Sequence, residues 1–158
     1  MKEQKSQFGA SEFNILASLQ DNTILNPENI VFDSLSIKNI DMNSFILNFV
    51  KFNDCYFEEV NFYGCDLNGA IFENCTILNS NFRKTILNKS AMKGCKVINC
   101  DMSGSEIIKA TIENCSFTEI VFTDTTLTLC LIQSSTFSDC ITNNSAICDN
   151  TESDVTWN

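Results

Sequence analysis

The stretch Cys55-Tyr56-Phe57-Glu58-Glu59-Val60-Asn61-Phe62-Tyr63-Gly64-Cys65-Asp66-Leu67-Asn68-Gly69-Ala70-Ile71-Phe72 carries a large apolar residue at every fifth position: Phe57, Phe62, Leu67 and Phe72. Followed backwards, the column passes Phe52, Leu47, Met42 and Ile37 to Phe32. Followed forwards, it runs through Ile77, Phe82, Leu87, Met92, Val97, Met102, Ile107, Ile112, Phe117, Phe122, Leu127 and Ile132 to Phe137. It breaks at Thr142, and Ile147 resumes it once more. Self-similarity at a fixed short period is the mark of a repeat architecture, in which each unit buries its apolar side only against its neighbours. A period of five is neither the 3.6 of a helix nor the 2 of a plain strand, which excludes an amphipathic helix.

A second column sits two residues before the first. Through the same stretch and beyond it reads Cys55, Val60, Cys65, Ala70, Cys75, Ser80, Thr85, Ser90, Cys95 and Cys100, and most of these residues are small. A large inward residue two positions after a small one is a strand-like alternation. Because the pattern restarts every five residues, each unit must also turn a corner.

Segments such as Cys65-Asp66-Leu67-Asn68-Gly69, Cys75-Thr76-Ile77-Leu78-Asn79 and Ser80-Asn81-Phe82-Arg83-Lys84 resemble the pentapeptide-repeat family, with its loose pattern small–polar–(Leu or Phe)–polar–polar. The resemblance covers residues 30–149, although cysteine, serine and threonine stand where the family favours alanine. It implies an all-β chain folded as a right-handed quadrilateral parallel β-helix, four pentapeptides to a square coil. The repeat then makes about 5.5 coils and a rod of about 25 Å at the usual strand spacing. Four units per coil predict a supra-period of twenty. Cys55, Cys75, Cys95 and Cys115 obey it, as do Leu47, Leu67, Leu87, Ile107 and Leu127, and as do Asn48, Asn68 and Asn88. Each column is expected to stack on one side, the apolar ones inward and the amides as a ladder.

Both ends of such a rod expose strand edges and need covering. Residues 1–29 lack the repeat and are expected to form an N-terminal cap. Ser11 is placed to N-cap a short helix over about 12–20, with Phe13, Leu16 and Ala17 on one face. Residues 150–158 are polar apart from Val155 and Trp157 and read as a C-terminal tail. That pair could cover the open end, pair with a second molecule or remain disordered. A monomer or an end-to-end dimer is the expected assembly.

Composition narrows the function. The 158 residues carry a net charge of −10, nine cysteines and no histidine. The length suits one domain with a sizeable core. The acidic balance argues against direct nucleic-acid binding, which needs a basic footprint, but leaves room for imitation of a nucleic acid. The missing histidines remove Ser–His and Cys–His catalysis and most zinc sites. No apolar run reaches the roughly 20 residues of a spanning helix, and Met1-Lys2-Glu3-Gln4-Lys5-Ser6-Gln7 lacks a signal-peptide core, so a cytoplasmic protein without membrane contact is expected. Cys55, Cys65, Cys75, Cys95, Cys100, Cys115, Cys130 and Cys140 fall in the small column and read as buried small hydrophobes. No Cys-x-x-Cys pair exists, a tetrahedral four-sulfur site does not suit stacked coils, and only Cys148 lies off the column. No catalytic residue, cofactor or metal site is expected, and the chain is not read as an enzyme.

What remains is surface. Residues 52–82 hold Asp54, Glu58, Glu59, Asp66 and Glu73 and no base, whereas residues 83–100 hold Arg83, Lys84, Lys89, Lys93 and Lys96 and no acid. A basic belt is therefore expected around an acidic rod, serving either ordinary pairing between coils or recognition of a charged partner. Ile46, Phe49, Ile86, Ile108 and Leu129 are expected to point outward together, and aligned exposed apolar residues mark interfaces. The leading expectation is a non-enzymatic scaffold that binds a protein. The resemblance also implies an alternative, a mimic of duplex DNA that binds DNA gyrase or topoisomerase IV and protects against quinolones, with Glu58, Glu59 and Glu73 on the contact surface.

Overall fold

Each five-residue unit has to point one side chain in, lay two against the outside and then turn through a right angle. The backbone does this with a three-residue strand followed by one residue in the left-handed region. Every fifth residue from Ser34 to Asp154 has a positive φ, between 46° and 68°. Asn, Asp and Gly, which tolerate that conformation best, occupy most of these corners. The corner residue is the last of each unit, a position the apolar columns do not reveal.

The computed structural model describes residues 30–158, and the predicted capping helix over 12–20 lies outside them. The described chain is an all-β, right-handed parallel β-helix of about six turns, and it contains no helix. One face is a seven-stranded sheet running from Val31–Asp33 through Lys51–Asn53 and Ile71–Glu73 to Thr151–Ser153. The next is a second seven-stranded sheet from Ser36–Lys38 to Thr156–Trp157. The third is held by single bridges from Asp41↔Asn61 to Val121↔Ile141. The fourth begins as the bridges Ile46↔Asp66 and Asp66↔Ile86 and becomes a three-stranded sheet at Glu106–Ile108, Thr126–Thr128 and Ala146–Cys148. Every pairing is parallel and shifted by twenty residues, as in Phe32↔Phe52 and Ile112↔Ile132. One chain wound on itself thus supplies all its own partners.

The four inward columns fill the interior completely. Phe52, Phe57, Phe62, Phe72, Phe82, Leu47 and Leu67 are fully buried. Aromatic rings stack coil on coil, Phe62 on Phe82 at 4.5 Å and Phe117 on Phe137 at 4.8 Å with only 4° between planes. Parallel strands about 4.8 Å apart bring identical rings into this offset-stacking range.

The solenoid does not stop at residue 149, so the separate tail expected at 150–158 is replaced by a further part-coil. Thr151–Ser153 pairs with Leu131–Gln133, and Thr156–Trp157 pairs with Thr136–Phe137. This extension also lifts the turn count above the expected 5.5. The inward register passes through Thr142, Ile147, Glu152 and Trp157, so polar residues had disguised its continuation. Trp157 stacks on Phe137 at 3.9 Å and donates its indole N–H to Glu152 Oε2 at 3.4 Å. Asn150 replaces the small residue of its column and acts as a side-chain peptide: its Oδ1 accepts the Cys130 N–H at 2.9 Å, and its Nδ2 donates to the Leu127 carbonyl at 3.1 Å.

Candidate protein-interaction surface

With the inside filled by side chains, the described residues meet solvent on the four faces, their corners and the ends of the rod. Among the described residues, no group of three or more Cys, Asp or Glu is disposed to hold a metal ion. One recess among the described residues is an open notch of about 350 Å³ lined by Asn79, Asn81, Arg83, Asn99, Asp101 and Val121. It is a dip between coils and not an enclosed pocket of the kind that shields chemistry from water.

The five predicted apolar residues fall on the fourth face and its following corner, but they do not form an unbroken strip. Ile46 and Ile86 alternate with Asp66 and Glu106 down one outward column. Ile108 is half-buried, below Asn68 and Asn88. Phe49 and Leu129 stand at corners, 48% and 53% exposed, with φ of 61° and 58°. Left-handed backbone costs a bulky L-residue roughly 1–2 kcal/mol, so two large apolar side chains are held outside at the expense of the fold. The Phe49 ring lies over the next corner of the same column, where a Cβ on Gly69 would come within 2.5 Å of it. Glycine there both accepts the φ of +68° and leaves room for the ring.

The predicted acidic residues are outward. Glu58 meets Lys38 Nζ at 2.7 Å and Glu73 meets Lys51 Nζ at 2.8 Å, and these lysines hold both carboxyls below the usual range. Glu59 occupies an exposed corner. The basic belt is largely stitched to neighbouring coils: Lys93 lies 3.5 Å from Glu113, Arg83 lies 3.8 Å from Asp101, and Lys84 Nζ sits 5.6 Å from the Tyr63 ring centroid. Lys89 and Lys96 form no ion pair among the described residues. Sequence reasoning saw a block of charge along the chain, whereas the twenty-residue wrap turns much of it into alternating pairs along the rod.

The amide ladder was expected in the wrong column. Asn48, Asn68 and Asn88 do share one, yet Asn88 donates to Glu106 Oε2 at 3.3 Å and accepts the Ile108 N–H at 2.9 Å. The hydrogen-bonded ladders run elsewhere. Asn81 donates to Asn61 and Asn61 to Asp41, both at 2.9 Å, while Asn99 donates to Asn79 at 2.8 Å.

Cys55, Cys75, Cys95 and Cys115 stack in one buried column, and Leu47, Leu67, Leu87, Ile107 and Leu127 in another. All nine thiols are free; seven are buried, Cys140 is half-buried and Cys148 exposed. Burial pushes the Cys65 thiol up to about 12 and the Cys100 thiol up to about 11.

Square coils of four pentapeptides with a small residue, an inward Leu or Phe and a left-handed corner define a pentapeptide-repeat protein. A family model described as the SV2A/B/C luminal domain matches residues 11–102, and the chain belongs to that family. No curated protein matches it in sequence. Among solved structures it is similar to full-length QnrB1, a plasmid-mediated fluoroquinolone resistance protein, at 14% identity and a TM-score of 0.57, over 76% of this chain and 71% of that one. It also matches a pentapeptide-repeat protein of the cyanobacterium Cyanothece, at 12% identity and a TM-score of 0.29, over 87% of this chain and 99% of that one. HetL of the cyanobacterium Nostoc, a pentapeptide-repeat protein involved in regulating heterocyst differentiation, matches at 9% identity and a TM-score of 0.25, over 73% of this chain and 64% of that one. At 14% identity the likeness to QnrB1 is one of fold.

Proposed function

We propose that this protein is a non-enzymatic scaffold that presents the fourth face and its Phe49–Leu129 corner to a protein partner. The observation that carries the reading is the placement of those two residues. Each is large, apolar and about half exposed, on a backbone conformation that Asn or Gly would occupy at less cost. Strain of this kind concentrates where function requires it, and apolar anchors bordered by Asp66, Glu106 and Lys89 suit a contact with a dry centre and a charged rim. The free thiols favour a reducing compartment, and we place the protein in the cytoplasm. Among the described residues no helix is long and apolar enough to cross a membrane.

The alternative is a DNA mimic that binds gyrase or topoisomerase IV and protects against quinolones. The net charge of −10 and the fold shared with QnrB1 favour it, and pairing of Lys93 and Arg83 with acids weakens the objection that a basic belt poses.

One set of variants separates the two. Phe49→Ser with Leu129→Ser is expected to abolish capture of the cross-linked partner without lowering the melting temperature. Reversing Glu58, Glu59 and Glu73 to lysine is expected to leave that capture intact. If the wild type inhibits gyrase supercoiling at micromolar concentration and the charge reversal removes the inhibition, the mimic replaces the scaffold reading.

A further inference from the structure

Four of the nine cysteines differ from the rest in having a cysteine one coil above or below. Cys55, Cys75, Cys95 and Cys115 follow one another at twenty-residue intervals, with Leu35 and Ser135 closing the series at either end. Their side chains repeat the same contact. The Cys55 thiol donates to the Phe32 carbonyl at 3.4 Å, Cys75 to Phe52 at 3.4 Å, Cys95 to Phe72 at 3.3 Å and Cys115 to Met92 at 3.3 Å. Since each contact is the previous one moved by a coil, the sulfurs are spaced by the coil repeat of about 4.8 Å. Successive members of the column are also in contact, for the Cys95 N–H donates to Cys115 Sγ at 3.4 Å.

Two metal–thiolate bonds of about 2.3 Å each, placed in line, span about 4.6 Å. A ladder with this spacing cannot make a tetrahedral centre, yet it matches a soft d10 cation that takes two sulfurs at 180°. The dry surroundings select by charge: a divalent ion held by two thiolates is neutral, whereas a monovalent one leaves a buried negative charge. We propose that the Cys55–Cys75–Cys95–Cys115 column is a binding site for soft, linearly coordinated divalent cations of the Hg(II) type, with one ion between Cys55 and Cys75 and one between Cys95 and Cys115. In each pair two S–H bonds break, two metal–sulfur bonds form and two protons leave to solvent, with no change of oxidation state. The bridged pair clamps two coils together. Cys65, Cys100, Cys130 and Cys140 have Phe45 and Thr85, Ser80 and Ile120, Ala110 and Asn150, and Ile120 as their coil neighbours, so none can form such a bridge.

Because the four thiols are buried, entry depends on local opening, and the test loads the ion during folding. The full chain is refolded from urea with two equivalents of Hg(II), challenged with excess glutathione to strip singly held ions, and weighed by native mass spectrometry. The wild type is expected to retain two ions, each at the cost of two protons, and to melt at a higher temperature than the metal-free protein. Cys75→Ser is expected to retain one, the Cys75→Ser/Cys95→Ser double variant none, and Cys65→Ser/Cys100→Ser still two. Serine already occupies this column at Ser135, so the fold should survive, and circular dichroism checks it. Should the double variant fail to fold, Cys55→Ser decides, with an expected fall from two ions to one. Loss of all Hg(II) from the wild type under glutathione, or a count that Cys55→Ser and Cys75→Ser leave at two, overturns the proposal.

Discussion

At the scale of single residues, the corner is where sequence and conformation conflict. A left-handed backbone suits Asn, Asp and Gly, and Asn74, Asn79, Asp124 and Gly104 sit there without strain. Leu129 does not. Leu129→Asn is expected to raise stability by about 0.5–1 kcal/mol, because asparagine relieves the positive φ at a residue that is 53% exposed and outside the core. Urea unfolding checks this. The same substitution is expected to weaken partner capture, and the opposed signs would separate a residue kept for binding from one kept for folding. Gly69 marks the reverse case. Its corner lacks a side chain because the Phe49 ring occupies the space.

At the scale of the element, a strand here is three residues long and means nothing alone, since its hydrogen bonds and its apolar contacts all come from coils twenty residues away. Leu87 sits mid-column between Leu67 and Ile107 and is 1% exposed. Leu87→Asp buries a carboxylate with no partner among these neighbours, at a cost of several kcal/mol against a typical domain stability of about 5–15 kcal/mol. Loss of the cooperative melt is the expected result. The outward neighbour Asn88 is not inert either. Its amide ties Glu106 and the Ile108 N–H together across the coil boundary, a role that an outward register alone does not disclose.

At the scale of the whole molecule, stability accumulates by stacking, and surface charge is arranged between coils. Lys38–Glu58 and Lys51–Glu73 hold their carboxyls below the ordinary glutamate value of about 4.3. A carboxyl whose folded pKa is depressed contributes stability above its unfolded pKa and loses it as pH falls through the folded one. The urea midpoint is therefore expected to drop between pH 5 and pH 3, and Glu58→Gln with Glu73→Gln should remove part of that drop. Both pairs are solvent-exposed, so the contribution of each is small.

The five-residue apolar column from Phe32 to Phe137 and its small companion column were enough, by themselves, to determine a stack of units that each turn a corner, because a helix or a plain strand would bring those side chains out of the interior. The resemblance to the pentapeptide-repeat family implied four units to a coil. The twenty-residue wrap likewise placed Cys75 over Cys55 and Leu67 over Leu47. Three features only the tertiary structure decided. The last part-coil hides behind Thr142 and Glu152, polar residues in the inward register that stand exposed there. The corners at Phe49 and Leu129 are strained, yet nothing in their chemistry announces a left-handed backbone. The charge blocks at 52–82 and 83–100 dissolve into pairs such as Glu73–Lys51 and Lys93–Glu113, because a charge on a solenoid finds its neighbour one coil away and not along the chain.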